Sequence, residues 1–235
     1  MIPAVILAGG LGTRLRPLTD RQPKALVRVQ GKPFLEHQLE LLQRGGVRDV
    51  LLLVGYRGRQ IEQSFGDGAR LGLRLRYSLE DTPLGTGGAL RQAEALLPDD
   101  FLLLNGDTLM PLDYEKLEKA YRQSQKLGLL VAYENPEHAL DNNLALGSDH
   151  LVTAYHRHNP AGLTHVDAGL GVFSKRLLQF IPPALRVSLE EEVYPMLIHR
   201  SQLMGFPTPQ RFYDMGSFAG LEALERGLTA LEEKP

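Results

Sequence analysis

Directly behind a short apolar run, the segment Leu7-Ala8-Gly9-Gly10-Leu11-Gly12-Thr13-Arg14-Leu15-Arg16-Pro17-Leu18-Thr19 combines glycines with arginines. Glycines let backbone N–H groups approach phosphate oxygens with no side chain in the way, and Arg14 adds a planar, permanently charged donor. Ala8, Gly9, Gly10, Gly12 and Thr13 are therefore candidate phosphate ligands. Taken alone, the same cluster also fits a tight turn with exposed arginines. Spacing removes two familiar phosphate loops. A dinucleotide fingerprint needs a third glycine where Leu15 stands, and an acid closing the next strand, where Val54 leads to Gly55-Tyr56. A Walker loop needs a Gly-Lys-Ser/Thr ending that is missing.

A second glycine-rich turn, Leu84-Gly85-Thr86-Gly87-Gly88-Ala89, opens a predicted helix and should present unpaired backbone N–H groups. Asp107 follows an apolar run through Gly106, which makes it a candidate metal ligand; an acid there is also a common helix cap or turn former. Asp214, in Phe212-Tyr213-Asp214-Met215-Gly216, is either a second carboxylate for the same site or the cap of the last helix.

These residues need a scaffold that gathers them at one edge. Apolar runs at Ala4–Leu7, Asp49–Val54, Leu73–Ser78 and Phe101–Asn105 alternate with helical spacing at Phe34–Gln43, Arg57–Phe65, Gly87–Leu97 and Asp113–Lys126. That alternation is the sign of a mainly parallel sheet covered by helices, whose ligands bind at the carboxyl ends of the strands. After Gly128 the strands Leu129–Tyr133, Leu151–Arg157 and Val166–Phe173 have little helix between the first two, so a partly antiparallel portion is expected. Helices return at Lys175–Phe180, Leu189–His199 and Ser217–Leu231.

With 235 residues, 43% hydrophobic, 26 basic against 28 acidic and a net charge of −2, the chain reads as one α/β domain and not as a nucleic-acid binder. No cysteine is available for a disulfide, a thiolate metal site or a thiol nucleophile. The apolar start lacks a basic leader, and no stretch reaches the roughly 18 apolar residues of a membrane span. A cytoplasmic protein with no membrane partner is expected, and a homo-oligomer stays open.

Followed by Pro23-Lys24-Ala25-Leu26, the run from Leu7 to Thr19 resembles the signature of the sugar-1-phosphate nucleotidyltransferases. Pro33-Phe34-Leu35-Glu36, Val54-Gly55-Tyr56, Tyr77-Ser78-Leu79-Glu80-Asp81, the turn at Leu84, Asn105-Gly106-Asp107-Thr108 and the segment around Asp214 continue the resemblance in family order over nearly the whole chain. The branch it most resembles is the heptose-1-phosphate and mannose-1-phosphate guanylyltransferases, with the N-acetylmuramate-1-phosphate uridylyltransferases next.

The resemblance implies a Rossmann-like three-layer sandwich with a mixed, mainly parallel central sheet. It implies transfer of a nucleotidyl group from a nucleoside triphosphate, GTP favoured, to a heptose- or mannose-type sugar 1-phosphate, with release of pyrophosphate. Two polyanions must meet, so neutralisation and alignment matter more than a protein nucleophile. By resemblance Arg14 holds the triphosphate, Lys24 stands beside the reacting phosphates, and Asp107 and Asp214 bind Mg²⁺ as Lewis acid and template. Gly85, Thr86, Gly87 and Gly88 would receive the nucleobase, with Glu80 near the base-reading position. A carboxylate can accept from both N1–H and the N2 amine of guanine, whereas uracil offers only N3–H.

The match weakens on the sugar side. Many relatives carry Glu-Lys-Pro where this chain has Tyr155-His156-Arg157-His158-Asn159-Pro160. Arg157 either replaces the lysine as a phosphate fork or belongs to an ordinary exposed loop. Asn142 and Asn143 stand where some relatives have Arg-Tyr-Gly, and Asp167-Ala168-Gly169 matches the small-residue strand beside the sugar. Glu190, next to Glu191, either reaches sugar hydroxyls or favours the positive end of a helix dipole. Asn143, Arg157, Asp167, Gly169 and Glu190 thus form the candidate sugar-phosphate set.

Other readings remain beside the main one. They are a uridylyltransferase acting on N-acetylmuramate 1-phosphate or a hexose 1-phosphate, and a silent NDP-sugar-binding sensor or subunit, which need not retain Arg14, Lys24, Asp107 and Asp214 together. A glycosyltransferase consuming the NDP-sugar would usually show Asp-x-Asp, and Asp107-Thr108-Leu109 lacks the second acid. Some relatives append a hexapeptide β-helix; this chain ends in a helix and Glu-Glu-Lys-Pro, so one activity is expected.

Overall fold

Unbroken apolar runs suit strands that are covered on both faces. In the computed structural model, which describes residues 1–156 and 162–232, seven strands, apolar inside the sheet and interrupted by polar or turn residues at its two edges, build one sheet: Ala4–Ala8 (β1), Asp49–Val54 (β4), Arg74–Leu79 (β5), Asp100–Asn105 (β6), Gly128–Tyr133 (β8), Val166–Ser174 (β11) and Leu203–Thr208 (β12). Three outlying pairs join Arg28–Val29 (β2) to Lys32–Pro33 (β3), Thr108–Leu109 (β7) to Tyr213–Asp214 (β13), and Leu144–Leu146 (β9) to Val152–Tyr155 (β10). The sheet order is β12-β8-β11-β6-β1-β4-β5. β6, β1, β4 and β5 are parallel, β11 runs against both β6 and β8, and β12 returns parallel to β8. Within this sheet the expected antiparallel portion is a single strand, β11, and the strand expected from Leu151 lies outside it, as β10, antiparallel to β9.

Successive side chains of a strand face opposite sides. Ala4, Ile6 and Ala8 of β1 therefore join Leu35, Leu39 and Leu42 of Phe34–Arg44 (α1), Ile61 and Phe65 of Gly58–Phe65 (α2) and Tyr114 and Leu117 of Tyr114–Ser124 (α4). Val5 points the other way, with Leu90 of Gly85–Gln92 (α3) and Leu197 of Tyr194–His199 (α5). Two apolar layers against one sheet make the expected sandwich.

Several expected bounds shift for local reasons. The helix expected over Gly87–Leu97 starts at Gly85 and ends at Gln92, and that over Lys175–Phe180 is a 3-10 helix. The helix expected at Leu189 opens as a wide turn, Leu189–Val193, ahead of α5, because Pro195 has no N–H to give the carbonyl of Glu191. β12 has no counterpart in the sequence reading, since Gly205 and Pro207 interrupt its pattern. Pro207 is tolerated there because β12 is an edge strand. Among the described residues no helix is long and apolar enough to cross a membrane.

A third apolar cluster gathers Leu15, Val27, Phe34, Leu109 and Met215 under Leu224 and Leu228 of Phe218–Glu232 (α6). It roots the glycine loop, β7 and β13 in one packed unit. Leu224→Ala, which truncates a fully buried side chain, should cost about 2–5 kcal/mol in urea unfolding; a negligible loss would mean that α6 packs only loosely on this cluster.

Candidate active site

β1 and β6 are parallel neighbours, so the residues that leave their carboxyl ends emerge side by side. Gly106 N–H donates to Leu7 O at 2.9 Å, which fixes the turn after β6 against β1. Asp107 O accepts from Met215 N–H at 2.8 Å, and Thr108 stands opposite Asp214 in the β7–β13 pair. Two acids far apart in sequence are thereby set next to each other. Neither is a helix cap: Asp107 leads into β7, and the hydroxyl that accepts from an N–H in the first turn of α6, that of Gly220 at 3.1 Å, is Ser217 Oγ.

Two basic groups meet these acids. Lys24 Nζ lies 2.6 Å from Asp107 Oδ2. Its position depends on the glycine loop, where Gly12 takes a φ of 63° and a Cβ would come within 2.9 Å of Thr19 Cγ2 and 3.2 Å of Lys24 Cβ. The Thr19 hydroxyl donates to Gly12 O at 2.8 Å and closes the loop. Arg14 is exposed, with Nη2 3.0 Å from the point where a Gly216 Cβ would stand, itself 2.7 Å from Asp214 Oδ2.

Crowding raises the Asp214 carboxyl above the usual range, chiefly through loss of solvation and then through the charge of Asp107; Lys24, the Gly216 N–H and Arg14 work against the shift. Water still reaches the side chain, which keeps the effect modest. Among the described residues no three His, Cys, Asp or Glu side chains gather around one point. Two carboxylates beside a glycine loop fit a cation such as Mg²⁺, which usually takes one or two protein carboxylates and fills its octahedron with phosphate oxygens and water.

Glu80 follows β5 and accepts from Leu84 N–H at 3.2 Å. A Cβ added at either Gly9 or Gly55 would lie 2.5 Å from Glu80 Oε1, so the acid rests on two backbones that only glycine leaves open. Burial raises its pKa, and the Leu84 N–H partly opposes the shift. The free N–H groups expected at the second glycine turn need a correction: Gly87 and Gly88 both donate to Val187 O, at 2.9 and 3.2 Å. Gly85 and Thr86 begin α3, with Gly85 packed on the Val187 backbone, and Gly10 faces open space.

On the sugar side, Asn143 Oδ1 accepts from Asp167 N–H at 2.7 Å. Asp167 Oδ1 accepts from Gly169 N–H at 2.9 Å, and Oδ2 from the Tyr155 hydroxyl at 3.0 Å. Gly169, at an irregularity in β11, packs on Asn105 and Thr108, so this strand touches the Asp107 turn. Glu190 Oε2 accepts from Thr86 Oγ1 at 2.7 Å and Ser188 Oγ at 2.8 Å. Asn142 is spent on the Asn135 side chain and Leu163 O. Arg157 lies outside the described residues.

The sequence reading assigned no role to Gln38, whose amide donates to Asn105 O at 2.9 Å and Thr108 O at 2.6 Å, on either side of Asp107. The available signal was an amide on the apolar face of α1. It also missed Tyr56, whose hydroxyl donates to Asp20 O at 3.1 Å and latches the loop after Arg14.

The Asp214 shift has a measurable sign. A folded pKa above the unfolded value of about 3.9 makes the folded state hold the extra proton, so stability falls as pH rises through the folded pKa. Without metal, Asp214→Asn should therefore raise Tm at pH 7, by on the order of 1 °C, and lose that gain below about pH 4. A lower Tm at pH 7 would show that Lys24 and Arg14 outweigh Asp107 and burial.

The family model described as "Nucleotidyl transferase" matches residues 3–142. The mannose-1-phosphate guanylyltransferase of Mycobacterium tuberculosis is 32% identical over 220 residues, covering 92% of this chain and 61% of that protein. The D-glycero-alpha-D-manno-heptose 1-phosphate guanylyltransferase of Campylobacter jejuni is 41% identical over 115 residues, 49% of this chain and 52% of its own length. The chain thus spans less than two thirds of these curated relatives. Among solved structures, HddC from Yersinia pseudotuberculosis complexed with GMP-PN superposes with a TM-score of 0.81 at 27% identity, over 97% of this chain and 100% of that one. A putative glucose-1-phosphate thymidylyltransferase from Bacillus anthracis shares the fold, with a TM-score of 0.84 at 19% identity over 96% of this chain and 94% of that one. From its glycine loop through Asp107 to Asn142, the chain belongs to the nucleotidyl transferase family.

Proposed function

We propose that this chain transfers a nucleotidyl group from a nucleoside triphosphate, with GTP favoured, to a sugar 1-phosphate of the mannose or heptose type. The observation that carries the reading is the Lys24–Asp107 contact of 2.6 Å beside Asp214, at the strand edge that also bears the glycine loop. A phosphate-binding turn, two cations and two carboxylates at one point are what joining two phosphorylated substrates needs. Relatives named for guanylyl transfer to mannose 1-phosphate and heptose 1-phosphate support the substrates.

In the proposed reaction a phosphate oxygen of the sugar 1-phosphate forms a bond to the α-phosphorus. The bond from that phosphorus to the oxygen bridging to the β-phosphate breaks, and pyrophosphate leaves with the electron pair. Backbone N–H groups of the Ala8–Thr13 turn and the Arg14 guanidinium hold the triphosphate and offset charge on the leaving group. Lys24 leaves Asp107 to neutralise the α-phosphate, which removes the main electrostatic barrier to a second anion. Asp107 and Asp214 would hold Mg²⁺, which supplies Lewis-acid polarisation of the phosphates and a template for their alignment. Glu80, above Gly9 and Gly55, would accept from guanine N1–H and N2–H. Asp167, Gly169 and Glu190 would line the sugar, and the cytoplasm is the proposed compartment.

Pyrophosphate release from GTP, UTP, dTTP, CTP and ATP against mannose, heptose, glucose and N-acetylmuramate 1-phosphates tests the reading. GTP with mannose or heptose 1-phosphate should be turned over, and Asp107→Asn should lower kcat by roughly 10²–10³-fold. Turnover with UTP and N-acetylmuramate 1-phosphate alone would replace the substrate assignment, and nucleotide binding without turnover would favour a sensor. Glu80→Gln keeps the volume but turns one acceptor into a donor, so the GTP over UTP preference should fall by about tenfold or more. An unchanged preference would remove Glu80 from base reading.

A further inference from the structure

Gln38 sits on the core face of α1 between Leu35, Leu39 and Leu42 and is 1% exposed. A carboxamide there is costly unless its polar atoms are paired. Its two N–H groups are paired, with Asn105 O and Thr108 O, while Oε1 is buried with no partner. That orphan fixes the orientation of the group, because a flipped amide would set its oxygen against two carbonyls. An aliphatic side chain would fill this place without burying an unpaired acceptor. What glutamine adds is two donors, aimed at the two carbonyls that bracket Gly106-Asp107.

We infer that Gln38 is a positioning residue for the cation site, clamping the Asp107 turn and, through Thr108, setting the separation of Asp107 from Asp214. The inference rests on the proposed reading of those two acids as metal ligands. The clamp acts on both of them because Thr108 is the residue opposite Asp214 in the β7–β13 pair. Leu7 O and Met215 N–H hold the Gly106 and Asp107 peptides from the other sides. α1 thus holds the turn that carries the first ligand from a further side.

The test compares Gln38→Met with Leu42→Ala, a fully buried position on the same helix. Mn²⁺ serves as the probe, its binding read from loss of the free-ion paramagnetic resonance signal, with and without GTP. Gln38→Met should weaken Mn²⁺ binding by about tenfold or more, the usual effect of losing a group that orients a ligating carboxylate, and leave metal-free GTP affinity unchanged. Leu42→Ala should lower Tm and bind Mn²⁺ like the wild type. Gln38→Leu, which likewise removes both donors and buries no polar atom, should show the same loss and covers a methionine variant that does not fold.

Wild-type Mn²⁺ affinity in the Gln38 variants, or an equal loss in Leu42→Ala, would overturn the inference. A wild-type protein that releases no pyrophosphate yet binds Mn²⁺ in a Gln38-dependent way would overturn the substrate reading alone. Failure of the wild type to bind Mn²⁺ even with GTP would overturn the cation site and the clamp together.

Discussion

Two carboxylates held side by side repel each other, and the fold of this chain holds Asp107 and Asp214 side by side on paired backbone. The surroundings can be understood as answers to that repulsion. Lys24 compensates Asp107 directly at 2.6 Å, Arg14 approaches Asp214 from the exposed loop, and the Asp214 carboxyl titrates above its ordinary range. A net charge of −2 over the whole chain gives no hint of this local arrangement. It is the local field, not the net charge, that acts on a ligand. A site carrying both signs can accept a polyanion through its cations and a hard cation through its acids, which suits a metal and a triphosphate arriving together.

Sheet topology makes the arrangement possible. Parallel β1 and β6 deliver the glycine loop and Asp107 to one edge because their carboxyl ends point the same way. The antiparallel β11 contributes from its beginning. Leu170 pairs with Leu104, so Gly169 comes level with Asn105 at the end of β6 and Asp167 lies beyond it. A parallel strand in that place would have brought its last residues to this edge. One reversal of direction therefore places a segment from the second half of the chain against a turn formed by the first.

What the sequence made legible follows from the range of the forces involved. β4 is read with its observed bounds because five consecutive buried apolar residues between Asp49 and Gly55 carry a local signal, and the glycine loop is legible because its chemistry is contiguous. The position of Asp214 is not local. It depends on a pair of two-residue strands, and segments that short carry no periodicity to read. Gly87 and Gly88 look free in sequence because Val187, which takes their N–H groups, lies about a hundred residues further on. Gln38 sits in a helical pattern that is correctly apolar around it, and only the positions of two distant carbonyls tell what its amide does. Arg14, Lys24, Asp107 and Glu80 were legible as a set through resemblance, whereas their mutual geometry required the fold.

Hydrogen bonds also join the proposed nucleotide and sugar sides. Thr86 Oγ1 donates to Glu190 and accepts from Leu189 N–H at 2.8 Å, and Val187 O receives the N–H groups of Gly87 and Gly88. The opening turn of α3 and the segment before α5 are consequently one hydrogen-bonded unit. Transfer between two bound substrates depends on their relative alignment, and small errors in that alignment are expensive in rate. Surfaces built on separate loops would place the substrates independently. Here Glu190 has its Oε2 committed to Thr86 Oγ1 on that turn, so whatever fixes the turn also fixes the acid. Rigidity between the two sides, added to charge compensation at the carboxylates, is what the proposed transfer, which uses no protein nucleophile, asks of the fold.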